Sequence, residues 1–364
     1  MVRDMTHTDV PTGRTTHGQP LVRSVEELSP AWFSYALGQS RPGVVVTNAN
    51  VNHIIWGSAT KVFADITYEG DSQGLPEKVC VKGGFDERSR AFGLGAAYEL
   101  EGYFYRDLAP TLSVETPDCY YAAAEHDQGI TILEDLRVRG AEFGDAENLW
   151  SVDTVSEALE VQALWHGELW GTKGKFDWLP VGATAAREAF KVMLSPEQFY
   201  PLIARDEVPD LVGKMADDKL VRSAFRSLWE YDDAAPHTIN HGDAHIAQLY
   251  RIPGDKPAFL DWQTACLAPW SHDVAYFLGS ALSIEDRRSN ERALLDHYRA
   301  ALHAAGGPEL TADETWLDYR RHSLHGFAWM CVPTVMQPSG VVSAMTSRYA
   351  AVIDDLDPFT LLGH

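Results

Sequence analysis

The sequence predicts an α+β chain, with a small antiparallel sheet carrying one helix in the first third and a larger, mostly helical remainder. Two observations predict it. Residues 43–135 hold short β-branched and aromatic runs punctuated by glycine. After Asp135 the apolar residues move to helical spacing, with two short strand-like interruptions. At 364 residues the chain is long enough for two domains, and an apolar content of 45% excludes a disordered chain.

Residues 1–20 offer few apolar anchors and read as a flexible tail. Ser24 followed by Glu27 is a capping-box pattern. Leu28, Trp32, Tyr35 and Ala36 then fall at helical spacing, and Gly38 and Pro42 end that helix. Val44–Val46, Asn52–Ile55 and Lys61–Tyr68 predict strands, and Val79–Lys82 predicts another, closed by Gly83-Gly84. Residues 90–108 predict one helix, ended by Pro110. Cys119–Ala124 and Gly129–Leu133 predict two further strands. Beyond them, helices are expected over 153–170, 210–231, 271–283, 286–305, 311–330 and 341–355. Gln248–Ile252 and Ala258–Leu260 are the strand-like interruptions. The domain plan is a tail (1–20), an N-lobe (21–135) and a helical C-lobe (136–364).

Thirty Lys and Arg stand against 52 Asp and Glu, a net charge of −22. That excess argues against a protein that neutralises nucleic-acid phosphates or rests on an anionic membrane, and leaves room for a local basic pocket that takes one small anion. Cys80, Cys119, Cys266 and Cys331 have neither zinc-site nor disulfide-framework spacing. No apolar run approaches the ~18 residues of a membrane span, and residues 1–20 have no signal-peptide core. The expectation is a reduced, cytoplasmic protein; oligomeric state has no signature here.

Chemistry concentrates in Ile239-Asn240-His241-Gly242-Asp243-Ala244-His245-Ile246-Ala247-Gln248, followed by Phe259-Leu260-Asp261-Trp262-Gln263. Asp243 sits in a glycine-containing loop before one short strand, and Asp261 ends another, 18 residues later. A hairpin of the two strands brings both carboxylates to one end. One carboxylate then suits proton acceptance from an attacking hydroxyl, the other Mg²⁺ against a triphosphate. Phosphoryl transfer needs little covalent help: a cation on the phosphates, Mg²⁺, and a hydroxyl held in line.

His-Gly-Asp-x-His with an amide three residues on, then an apolar strand ending in Asp-Trp, resembles the aminoglycoside phosphotransferase and choline kinase group. Glu101-Gly102-Tyr103-Phe104-Tyr105, Ile132-Leu133-Glu134-Asp135-Leu136 and Asp-Trp-Gln are most similar to its ecdysteroid-kinase-like branch, and the ordered motifs run over about residues 43–355. The resemblance implies a bilobal protein-kinase-like fold and an ATP- and Mg²⁺-dependent transfer to a small-molecule hydroxyl. It implies Asp243 as catalytic base, Asp261 as Mg²⁺ ligand, and Lys82 on the α/β-phosphates. Glu101 pairs with Lys82 in that scheme, with Glu99 as the alternative. Residues 133–136, among them Glu134 and Leu136, match the adenine connector. Ser58, in the turn Trp56–Thr60, matches the loop over the phosphates. His241 and Asp273 match supports of the catalytic loop.

There are two departures. Gln248 stands where the family places a metal-binding Asn, with one methylene more, about 1.5 Å of reach. Mg²⁺ demands near-octahedral geometry, so Gln248 binds through a shifted loop, through water, or not at all. That motivates a second reading, a catalytically impaired nucleotide or metabolite sensor. The phosphate turn has Gly57 as its lone glycine.

His241 and His245 are four apart, but Gly242 interrupts any helix between them, so they read as structural histidines and not as a zinc pair. Trp316, Phe327, Trp329 and Met330 read as C-lobe core, with an aromatic acceptor pocket as the other reading. Glu285–Arg288 reads as a solvated helix start. No H-R-D-L-x-x-x-N, D-F-G or A-P-E set is present, against a protein kinase. The acceptor expected is an apolar or aromatic alcohol; an aminoglycoside is the alternative.

Overall fold

The computed structural model describes residues 20–364 apart from 92, 173, 183, 333 and 335, with the backbone alone described at 184–186. The expected tail, except Pro20, lies outside the described residues. Two compact units are present. One holds the described residues up to Tyr103 together with Cys119–Leu133; the other holds the described residues of Phe104–Asp118 and Glu134–His364.

The first unit is a five-stranded sheet with helices. Its strands are β1 (Val46–Ile55), β2 (Thr60–Tyr68), β3 (Lys78–Gly83), β4 (Cys119–Glu125) and β5 (Gln128–Glu134), in the order β1-β2-β3-β5-β4. The β1–β2, β2–β3 and β4–β5 pairs are antiparallel. Helix α1 (Pro30–Gly38) covers the sheet, and Trp32, Phe33, Ala36 and Leu37 join Val62, Val79, Val81 and Ile132 in one core. The cap is not Ser24. Its side chain makes no cap hydrogen bond, whereas the Ser29 hydroxyl accepts from the Trp32 amide at 3.2 Å. Pro30 explains the shift: lacking an amide hydrogen, it suits a helix's first position and cannot sit inside one.

The single helix expected over 90–108 is broken. It becomes α2 (Glu87–Ala91), α3 (Gly95–Tyr103) and one π-helical turn, Phe104–Leu108. Gly93 lies between α2 and α3 at φ +78°, a left-handed conformation that ends a helical run.

The second unit contains β6 (Glu142–Phe143), α4 (Val152–Glu168), α5 (Thr184–Met193), α6 (Pro196–Ile203) and α7 (Asp218–Ala234). There follow β7 (Thr238–Asn240), β8 (Leu249–Arg251), β9 (Ala258–Phe259), β10 (Cys266–Ala268), α8 (Ser271–Ala281), α9 (Ile284–Ala304), α10 (Ala312–His322), α11 (Ser339–Leu356) and α12 (Pro358–Leu361). Strands β8 and β9 form the expected antiparallel hairpin, and β7 pairs with β10.

Four expectations need correction. The helix expected from 210 begins at Asp218, because the Asp217 carboxylate caps it by accepting from the Lys219 and Leu220 amides. The helix expected to 330 ends at His322 and continues as 3₁₀ turns over Ser323–Cys331. Gln248 is not on a strand but closes the short 3₁₀ turn Ile246–Gln248. Arg287 is not solvated: it is buried against Glu291 at 2.6 Å and also pairs with Asp355. A buried guanidinium persists when carboxylates neutralise it.

Among the described residues no helix is long and apolar enough to cross a membrane.

Candidate functional site

In the sheet unit, β3 delivers Lys82 and α3 delivers Glu101. Both are 4% exposed, and the Lys82 Nζ lies 2.6 Å from Glu101 Oε1. Glu99 is engaged elsewhere, where its Oε1 accepts from the Asp127 amide at 2.7 Å. A lysine and a carboxylate this deeply buried hold their charges by neutralising each other. The turn carrying Ser58 is tied from behind by two hydroxyls. Tyr98 donates to the Ser58 carbonyl at 2.6 Å and Ser89 to the Gly57 carbonyl at 2.8 Å. With those carbonyls engaged, the turn is held without further glycines.

In the helical unit, the loop after β7 carries His241, Gly242 and Asp243. Gly242 stands at φ +83°, and a β-carbon there would lie 2.2 Å from the Thr264 carbonyl oxygen. Any side chain there meets both a strained backbone and a backbone oxygen, so glycine is favoured. Asp273, in the first turn of α8, holds the loop by its backbone. Its two oxygens accept from the His241 amide at 2.6 Å and the Gly242 amide at 2.9 Å. Behind it, His166 Nε2 lies 3.4 Å from Asp273 Oδ2, and His166 Nδ1 meets the Tyr298 hydroxyl at 2.8 Å. Burial opposes the charge on Asp273, but the hydrogen bond and field of His166 prevail and hold its carboxyl below the usual range.

His241 is a neutral strut. Its Nδ1 accepts from the Asp243 amide at 3.3 Å and its Nε2 donates to the Leu260 carbonyl at 2.9 Å. Burial pulls its pKa below the ordinary imidazole value. The strut joins the loop of Asp243 to the residue before Asp261, which fixes the two carboxylates relative to each other. Asp261 is 7% exposed and stands at φ +70°. A non-glycine residue in that region is uncommon, and such strain clusters at functional sites. Its neighbour Trp262 stacks on Phe104 at 4.3 Å and meets Trp165 edge-on at 5.2 Å.

Asp243 has a side chain 31% exposed, and its Oδ2 accepts from Gln248 Nε2 at 3.1 Å. Loss of solvent opposes its charge, the His245 imidazole outweighs that, and Asp261 acts in the raising direction; the net result is a carboxyl below the usual range. Asp243 and Asp261 are thus close enough to interact electrostatically. Burial drives the Tyr276 phenol well above its ordinary value, and the charge of Asp243 adds to the shift.

Glu134 is buried; its carboxylate accepts from the Asp118 amide at 3.1 Å and pairs with Arg139 at 3.1 Å. Leu136 packs with Tyr250, Ile252 and Ala258. Of the four aromatic-stretch residues, Phe327 and Met330 are core, Trp329 meets the His245 ring, and Trp316 is half-buried under the Arg292 guanidinium, 3.3 Å from its ring centroid. His166, Tyr276 and Tyr298 escaped the sequence reading of the site. Tyr276 had a signal: it lies three residues after Asp273, on the same helix face.

The donors fit a hard divalent cation. Asp261 and Gln248 offer oxygen, and among the described residues no group of three or more His, Cys, Asp or Glu gathers to hold a metal.

Residues 195–306 match the model of the ecdysteroid kinase-like family, a span that includes Asp243, Gln248, Asp261 and Asp273 and is shorter than the run of motifs over 43–355. LicA in complex with AMP matches with a TM-score of 0.51 at 10% identity, covering 91% of this chain and 97% of that one. The chain shares the fold of LicA. Among other similar solved structures, choline kinase LicA from Streptococcus pneumoniae has 12% identity, coverage of 86% and 94%, and a TM-score of 0.47. Macrolide 2'-phosphotransferase MphH from Brachybacterium faecium has 18% identity, coverage of 84% and 95%, and a TM-score of 0.43. No curated protein matches the chain. This kinase-like fold is the α+β architecture expected from the sequence.

Proposed function

We propose that the chain is an ATP- and Mg²⁺-dependent small-molecule kinase that phosphorylates a hydroxyl group. The observation that carries this reading is the buried His241 strut, which bonds both the amide of Asp243 and the carbonyl next to Asp261. The buried Lys82–Glu101 pair supports it, supplying a fixed cation for the α/β-phosphates. Asp243 is the base that orients the acceptor hydroxyl and takes its proton. Asp261, with Gln248, would hold Mg²⁺, which neutralises phosphate charge when bound. Ser58 belongs to the turn over the phosphates, and Glu134 and Leu136 to the adenine connector.

For the acceptor we infer a neutral apolar or aromatic alcohol. The His245 ring, 3.6 Å from Asp243, packs against Tyr276 and Trp329, an aromatic setting that suits a flat apolar body better than the cationic body of an aminoglycoside. The test is ADP formation and nucleotide binding in two variants. Asp243→Ala should abolish turnover and keep Mg–ATP binding. Asp261→Ala should abolish turnover and weaken Mg–ATP binding. Unchanged turnover in both discards the mechanism.

The second reading, a nucleotide or metabolite sensor, draws on Gln248, whose amide nitrogen is engaged by Asp243. A large gain in phosphoryl transfer in Gln248→Asn would favour it.

A further inference from the structure

We propose that His245 is a positioning residue that selects which oxygen of Asp243 receives the acceptor's proton. The reaction it serves is the kinase reaction proposed above. His245 caps the 3₁₀ turn Ile246–Gln248, and its Nδ1 accepts from the Ala247 amide at 3.3 Å. A neutral imidazole whose Nδ1 accepts carries its proton on Nε2. That Nε2 lies 3.6 Å from Asp243 Oδ2, the same oxygen that accepts from Gln248 Nε2 at 3.1 Å. One short turn therefore aims two N–H groups, from its cap and its last residue, at a single carboxylate oxygen.

The ring cannot swing away freely. Trp329 meets it edge-on at 5.4 Å and Tyr276 at 6.0 Å. The turn is anchored as well: the Ile246 amide donates to the Ser280 hydroxyl at 3.0 Å, and the Gln248 carbonyl accepts from the Leu260 amide at 2.9 Å. A carboxylate free to rotate presents either oxygen. With Oδ2 held from the turn, Oδ1 is the oxygen assigned to the acceptor. Fixing that choice beforehand removes a rotational cost from the reactive geometry.

In the step itself the acceptor O–H bond breaks and its proton passes to Asp243 Oδ1. The acceptor oxygen bonds to the γ-phosphorus. The bond from the γ-phosphorus to the β–γ bridging oxygen breaks, and its electron pair leaves on ADP. His245 takes no proton: Nε2 is already protonated and Nδ1 is occupied. It acts only through Asp243.

Two variants separate donor from shape. His245→Phe keeps a ring for Trp329 and Tyr276 but removes the N–H; His245→Gln restores an N–H at similar reach. ADP formation from Mg–ATP, with water as the acceptor, should fall in His245→Phe by about 100-fold in kcat. KM for Mg–ATP should stay within about twofold, and His245→Gln should recover most of the rate. Equal kcat in wild type and His245→Phe, or no recovery in a folded His245→Gln, overturns the proposal. Nitrogen-15 NMR of histidine-labelled wild type reads the contact without turnover, with His245 assigned by its absence in His245→Gln. The Nε2–H tautomer is expected, and the Nδ1–H tautomer overturns the proposal. A wild type that neither binds Mg–ATP nor forms ADP refutes the kinase reading, and the tautomer still decides whether His245 donates to Asp243.

Discussion

The loop at Asp243 and the turn at Ser58 are both short backbone excursions that carry proposed site residues, yet they are held in opposite ways. The Asp243 loop is held from inside, by a buried carboxylate gripping two amides and by His241, a buried imidazole bridging to Leu260. The Ser58 turn is held by two hydroxyls, and Trp56 on it is 52% exposed. Buried, charge-assisted bonds are strong and costly to leave half-made, whereas neutral bonds near solvent contribute modestly. The acidic loop is thus built for fixed geometry and the turn for tolerance.

The contrast fails at once if Asp273→Ala is mild. Removing that carboxylate strands the His241 and Gly242 amides, and urea denaturation should show a loss of about 3–5 kcal/mol. A pH series probes the same carboxylate. The folded carboxyl of Asp273 lies below its unfolded value, so the unfolded chain binds the proton first as acidity increases. Its stabilisation is complete above the unfolded pKa, about 4, and is lost as the pH falls toward the folded value. Asp273→Asn should therefore flatten the acid limb of stability against pH. Next in size, Gly242→Ala should cost about 1–3 kcal/mol from its left-handed backbone, and more if Thr264 does not move. Tyr98→Phe removes one neutral hydrogen bond and should cost about 1 kcal/mol, with a few-fold rise in KM for Mg–ATP as the turn loosens. Ser89→Ala, at an exposed bond, should stay within about 0.5 kcal/mol by thermal denaturation. A reversal of this order would show that the turn, and not the loop, is the rigid element.

Much of this was legible in the amino-acid sequence. Strand order along the chain followed from β-branched runs, and the β8–β9 hairpin from two short apolar stretches around Asp255. The residues that meet were partly legible too: a lysine at a strand end and a carboxylate on the next helix need little more than topology. Other features were hidden for identifiable reasons. Ser24 and Ser29 both resemble caps, and only Pro30 decides between them. Helices α5 and α6 went unread. His166 reaches Asp273, and Tyr298 reaches His166, from distant helices, a convergence that sequence spacing cannot express. His245 read as structural because its meaning lies in which ring nitrogen is occupied, and that depends on the amide of Ala247.

The chain's division has a practical corollary. The backbone passes from one unit to the other three times, after Tyr103, Asp118 and Leu133. No single cut releases either part whole. A fragment starting at residue 134 would lack Phe104, and with it the ring stacked on Trp262 beside Asp261. Dissecting this protein calls for a circularly permuted or co-expressed design that returns residues 104–118 to the helical part, and a simple truncation series would report on a damaged core.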